Sequence, residues 1–178
     1  MSTSGFLRAL VADGPAKDRG DNMGLYGQFI GSWDLDVSHF PENAPARHRP
    51  GEWHFGWVLE GRAIQDVWIV PPRTERSADD AVATNSPYGS TLRIYDTRMD
   101  AWRIQWSDPV GQTFLQMIGR ADGNDIVQLG TAEDGKLIRW SFREITAASF
   151  LWRGESSADQ GQSWRLVTEF QAVRANRD

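Results

Sequence analysis

The residue of this 178-residue chain best placed to do chemistry is a lone carboxylate in aromatic company. Asp66 lies in the stretch running from Glu52 to Val70, which reads as two strands folded back at Glu60-Gly61, because a two-residue turn containing Gly suits a tight hairpin. That turn sets Leu59 opposite Arg62, Trp57 opposite Ile64, Phe55 opposite Asp66 and Trp53 opposite Trp68. Side chains two apart in a strand share a face. Asp66 therefore shares its face with Trp53, Phe55, Trp57, Leu59, Ile64 and Trp68. Loss of hydration on such a face disfavours the charged form of a carboxylate, which makes Asp66 a candidate general acid or base, or a polar anchor for a ligand. The structural alternative is that it pairs with an arginine or accepts backbone hydrogen bonds. A slip of one residue, or a bulge, would turn it to solvent. Arg62, at the hairpin end, is the one arginine placed on the inner side of its strand, near an opening.

Other chemistries find little support. His39, His48 and His54 lack the spacing of a metal site, so no metal is expected. There is no phosphate loop, no nucleophile elbow and no cysteine. Asp34 and Asp36 alternate with Trp33, Leu35 and Val37 and so face outward, which removes a glycosidase pair. Arg139, Arg143 and Arg153 also fall on outward positions and read as surface charge. The run Ser157-Ala-Asp-Gln-Gly-Gln-Ser-Trp164 matches the S-x-D-x-G-x-x-W box found once per blade in sialidases. A single copy reads as a hairpin turn in which Ser and Asp side chains bond backbone groups.

Composition narrows the class. The net charge of −5 argues against nucleic acid as partner. Nine tryptophans are an unusual number, and seventeen arginines stand against two lysines, a bias expected of a GC-rich genome. The first residues lack a basic n-region and a long apolar run, and no stretch reaches the ~20 apolar residues of a membrane helix. A cytoplasmic protein with no membrane span is the expectation.

The elements follow from periodicity. Residues 3–12 predict a short helix with Phe6, Leu7, Leu10 and Val11 on one side, and residues 13–22 a polar connection. Residues 1–23 thus form an N-terminal helix and linker, and 24–178 the main domain. A helical turn near Leu25 leads into a strand carrying Trp33, Leu35 and Val37. Pro41 to Pro50 is a loop holding Arg47-His48-Arg49, and residues 71–88 form a long connection of the kind used as lids. Thereafter strands come in quick succession: 91–96, 102–107, 112–120, 126–131, 137–144, 150–155 and 164–174. A five-residue loop at 97–101 would set Ile94 opposite Ile104 and Leu92 opposite Trp106. The inward face of 112–120 is left open between Phe114/Gln116/Ile118 and Leu115/Met117. With these registers all nine tryptophans point inward. About ten short antiparallel strands in hairpin order predict an all-β fold, a closed up-and-down barrel with a short N-terminal helix, a sandwich being the alternative.

The run Phe29-Ile-Gly-Ser-Trp-Asp-Leu35 resembles the F-x-G-x-W-x-L opening of the calycin superfamily, the lipocalins and fatty-acid-binding proteins. With Gly61-Arg-Ala-Ile-Gln-Asp-Val-Trp68 and the Tyr95-Asp96…Trp102-Arg103 hairpin, the pattern over residues 24–174 is similar to bacterial lipocalin-like families of unknown function. The resemblance implies that Trp33 plugs the closed end of the barrel and that a late basic residue, Arg174, packs on it. It also makes His39, at the end of the first strand, the one histidine to consider as a haem ligand. The absence of a signal peptide and of disulfides favours the intracellular type, although Pro41 to Pro50 cannot supply that type's helix pair.

Three functions follow. The barrel binds a small, mostly apolar, flat molecule among Trp53, Phe55, Trp57, Trp68, Trp106 and Trp140, with Asp66 and Arg62 as polar contacts and no cofactor assigned. Alternatively it is an isomerase, cyclase or hydratase with Asp66 as acid or base. Thirdly, its own side chains fill it. A homodimer is compatible with each.

Overall fold

A computed structural model describes residues 4–175; residues 1–3 and 176–178, which the sequence reading assigns to the N-terminal segment and the barrel domain, lie outside it. Ten strands close into an antiparallel barrel. They are β1 (Gly31–His39), β2 (Arg47–Val58), β3 (Ala63–Ile69), β4 (Tyr88–Asp96), β5 (Ala101–Asp108), β6 (Thr113–Asp122), β7 (Asp125–Thr131), β8 (Leu137–Arg143), β9 (Ser149–Ser157) and β10 (Arg165–Arg174). Each strand pairs with the next, and β1 pairs with β10, so no edge is left open. Two short helices, α1 (Gly5–Leu10) and α2 (Gly24–Gly27), flank a 3₁₀ segment, Lys17–Met23, at one end.

The β2–β3 register is the one the sequence implies: Trp53 opposes Trp68, Phe55 opposes Asp66, and Trp57 opposes Ile64. The turn itself is wider, Leu59 to Arg62, with positive φ at Leu59, Glu60 and Gly61. Leu59 consequently leaves the inner face and is exposed. Gly61 is required on two counts, because a Cβ there would sit 2.1 Å from the Gly14 carbonyl oxygen. Hydrogen bonds from Leu59 N to Leu10 O and from Ala12 N to Trp57 O, both 2.9 Å, tie the N-terminal segment to this end.

The β4–β5 hairpin departs from expectation. Its loop has four residues, Thr97 to Asp100, so Asp96 opposes Ala101 and Arg93 opposes Ile104. A change of one residue in register turns every side chain of a strand over. Thr91, Arg93 and Tyr95 therefore enter the barrel, while Leu92 and Ile94 face outward. In β6 the inward residues are Leu115 and Met117. β2 begins earlier than expected and takes in Arg47-His48-Arg49. Eight tryptophans belong to the interior. The exception is Trp164, just before β10, whose ring lies 4.2 Å from the guanidinium of outward-facing Arg139.

One end is plugged from below. Trp33 is buried and its Nε1 donates to Phe29 O at 2.7 Å. Arg174 stacks 4.2 Å over Trp33 and donates to Ile30 O and Gln28 O at 2.8 and 3.0 Å. Tyr26 and Phe29 rise from α2 and the residues after it into the barrel, both fully buried. The opposite end, where β1, β3, β5, β7 and β9 finish, is the mouth. The 70–87 connection lies beside it as a strap.

Candidate functional site

Asp66 is fully buried, and the register of β4 explains how. Arg93, also fully buried, donates from Nη1 to Asp66 Oδ2, and the Thr91 N–H donates to Oδ1 at 3.3 Å. The guanidinium carbon of Arg93 lies 5.1 Å from the Tyr26 ring centroid, 5.5 Å from Phe55 and 5.9 Å from Phe142. Two opposite charges and three ring faces offset the desolvation that either charge would suffer alone. The structural alternative for Asp66, pairing with an arginine and a backbone N–H, is present in the fold. Arg93 itself escaped the sequence reading, since Leu92 and Ile94 on either side made the opposite face look like the core. The signal that would have found it is Asp66: an inward carboxylate requires a counter-charge on a neighbouring strand.

Above the ion pair the barrel is packed with rings. Trp53 lies 4.7 Å from Phe55, 5.6 Å from Phe142 and 5.8 Å from Phe170. Trp57 packs at the closed end against Gly27, where a Cβ would come within 2.7 Å of its ring. Arg62 is also at the closed end, paired with Glu60 at 2.7 Å and Asp18 at 3.4 Å. Trp53, Phe55, Trp57, Asp66 and Arg62 are thus set apart from the mouth.

The other three candidates meet there. Trp68, Trp106, Trp140, Trp152 and Phe170 form a closed circuit of rings, with successive centroids 5.2, 5.9, 5.3, 4.4 and 4.8 Å apart. Above this belt are two cavities that share Trp106 and Thr113. One, of about 400 Å³, is bounded by Trp68, Val37, Val70 and the strap residues Thr84, Asn85 and Pro87. The other, of about 410 Å³, lies beside Trp140, Ile138 and Leu115. Gly89 makes room for the belt: a Cβ there would sit 2.3 Å from the Trp106 ring.

The polar edge of the first cavity consists of His39, Arg47, Arg49, Asp108 and Thr168. His39 shares a hydrogen bond of 3.1 Å with Thr168 Oγ1. Burial, then the charges of Arg47 and Arg165, push its imidazole below the ordinary value. Arg49 reaches across to the strap, bonding Asp80 at 2.7 Å and Ser86 at 2.8 Å. Arg76 holds the strap from within, donating to Val70 O, Asp80 O and Ser86 O. On the outer wall, Glu52 fixes the strap's start through the Arg73 N–H and guanidinium, at 2.8 and 2.7 Å. Burial alone would raise the Glu52 carboxyl, but hydrogen bonds from Arg73 and His54 outweigh it and hold the group at about 2. None of these strap contacts was legible in the sequence.

The remaining motifs behave as turns and surface pairs. Asp159 accepts from Ser163 N and Ser157 Oγ at 2.9 and 2.7 Å, closing the turn before Trp164. Arg139 and Arg153 pair outside with Glu155 and Glu169, and Arg143 bonds Ser141 Oγ. Among the described residues no three His, Asp or Glu gather as a metal site. None of their helices is long and apolar enough to cross a membrane.

The barrel has a solved counterpart. The chain is similar in fold to a phycobiliprotein lyase. The structure of the S-type phycobiliprotein lyase CPES from Guillardia theta superposes with a TM-score of 0.56, covering 92% of this chain and 100% of that one. At 11% identity the likeness shows the barrel fold alone. No family model and no curated protein matches the sequence.

Proposed function

We propose that this protein is a lipocalin-like binding barrel that holds a small, flat, mostly apolar molecule at its mouth, on the belt of Trp68, Trp106 and Trp140. The observation that carries this reading is the contrast along the barrel axis. The interior of the closed half is filled by the chain's own rings around the Asp66–Arg93 pair, and the hollow of about 410 Å³ at that end is edged by the polar residues Asp21, Asn22, Asp100 and Arg120, whereas the 400 Å³ at the mouth lies over an indole floor. Mostly apolar concavities with a few convergent polar groups are the usual form of small-molecule sites. The fold likeness to a phycobiliprotein lyase supports a barrel of ligand-binding type. In this reading Asp66 and Arg93 brace the floor beneath the ligand, and Trp53, Phe55 and Trp57 serve as its packing.

The test is titration of intrinsic tryptophan fluorescence with retinoids, fatty acids, flavonoids and haem. Saturable quenching is expected from at least one class, and Trp106→Ala should weaken it by roughly tenfold, since ring stacking and burial are lost together. Quenching that is indifferent to both Trp106→Ala and Trp68→Ala would place the ligand elsewhere. Absence of quenching by every class would leave a barrel that is simply full.

A further inference from the structure

Outward positions on a solvated barrel wall are expected to be polar, as Ser32, Asp34, Asp36 and Ser38 of β1 are. The wall from β4 to β7 departs from this. One cross-strand row there runs Ile94, Arg103, Ile118, Leu129. Leu129 is 51% exposed and Ile94 41%, so large apolar groups at both ends of the row are left in water. Arg103, the one charge in the row, is neutralised by Asp96 at 2.8 Å. A hollow of about 630 Å³ lies between the flanks, bounded by Leu92 and Ile94 on one side and by Leu129 and Thr131 on the other, with Gln105 and Gln116 between them. An apolar surface of this kind on a folded wall marks a contact site.

Shape and charge together say what covers it. Two convex barrels touch along a line unless a ridge of one enters a trough of the other. Here the two lie side by side in one surface: β7, with Leu129 foremost, borders the trough formed over β5 and β6. A two-fold axis between β6 and β7, parallel to the strands, seats each ridge in the other's trough, which is the self-complementarity that an isologous contact requires. The chain as a whole carries −5 and so repels its own kind, but this row brings no uncompensated charge to the contact. A wall four strands wide and about seven residues long, at about 4.8 and 3.4 Å per step, covers roughly 450 Å² per copy. The pair then falls near the lower limit of about 1,000 Å² for a specific contact, the size of a reversible dimer.

We propose that this wall is the contact between two copies of the chain, with Leu129 of each seated beside Ile118 of the other and the Gln116 amide meeting the Thr131 hydroxyl. These side chains all point away from the barrel interior, so the pairing stands apart from ligand binding at the mouth. Sedimentation velocity on the full chain from about 1 µM to about 1 mM should show the mass doubling. Added salt should favour the dimer, by screening the repulsion between two acidic chains. Leu129→Glu, at an exposed position, should leave Tm unchanged and keep the chain monomeric at the highest concentration, and Thr131→Glu on the same ridge should do likewise. Val173→Glu, on the exposed side of β10, should leave the dimer intact. The chain has no cysteine, so Leu129→Cys mixed with Ile118→Cys should give a disulfide between the two chains under mild oxidation. A parent that stays monomeric throughout overturns the pairing and leaves the wall to a partner of another kind. A dimer that survives both ridge variants, or that is lost with Val173→Glu, overturns the choice of wall.

Discussion

Asp66 and Arg93 illustrate how one buried residue demands another. Each is enclosed by rings, and each charge is tolerable only because the other is present. Removing one partner of such a pair is far more damaging than removing both. Asp66→Asn should therefore destabilise the fold by about 3–5 kcal/mol in urea unfolding, and Asp66→Leu combined with Arg93→Met should recover most of that loss. Glu52 offers a test through pH. Its folded value of about 2 lies below the ordinary 4.5, so the stability it contributes is complete above 4.5 and is lost as pH falls from there towards 2. Asp80, Asp96, Asp134 and Asp159 are lowered too, by hydrogen bonds from Arg49, Arg103, Lys136 and Ser163 first of all. The informative quantity is the difference between the parent and Glu52→Gln: the variant should show a shallower loss of stability over that window, and parallel curves would contradict the assignment.

The strap borders the first cavity of the mouth through Thr84, Asn85 and Pro87. It has no helix or strand of its own between β3 and β4, and its order comes from backbone turns and side-chain hydrogen bonds: Arg76 donates to three carbonyls, and the Asp80 carboxylate accepts from the Arg49 guanidinium and the Ser77 N–H. Loops held by few contacts open locally without global unfolding. Asp80→Ala should raise amide hydrogen exchange across residues 71–87 by an order of magnitude or more while β7 to β9 keep their protection. Uniform loss of protection throughout the barrel would mean that Asp80 supports the whole fold. The β2–β3 hairpin is the contrasting element. Its register was readable because alternate positions are large and apolar on one face and small or polar on the other. β4 resisted the same reading because Ser90-Thr-Leu-Arg-Ile-Tyr95 alternates with equal conviction in either phase, and a loop length of four or five decides between them.

For the molecule as a whole, closure depends on the seam between β1 and β10, and Arg174 sits at its closed end. The residue stacks on Trp33 and donates to the carbonyls of Gln28, Ile30 and Ala147, so it joins the entry to β1, the end of β10 and the β8–β9 turn. Arg174→Ala should cost about 2 kcal/mol, from one cation–π contact and several charge-assisted hydrogen bonds. That corresponds to a fall of roughly 4–8 °C in Tm for a chain of this size. An unchanged Tm would show that strand pairing closes the barrel without it.

Local pattern determined much of this. Alternation of apolar residues marked the strands, turn residues joined them in hairpin order, and the resemblance of the opening around Gly31 and Trp33 to the calycin pattern implied which end is sealed. These are properties of residues near one another in the chain, so they survive in the sequence. What only the assembled barrel decided is which rings remain free. Trp53 and Trp68 are equivalent in the hairpin, yet one is buried against Phe142 and Trp152 and the other floors a cavity. The partner of Asp66 likewise comes from a strand whose phase is set by a turn. Such outcomes depend on how ten strands share one enclosed volume, and volume is filled by the whole set of side chains at once.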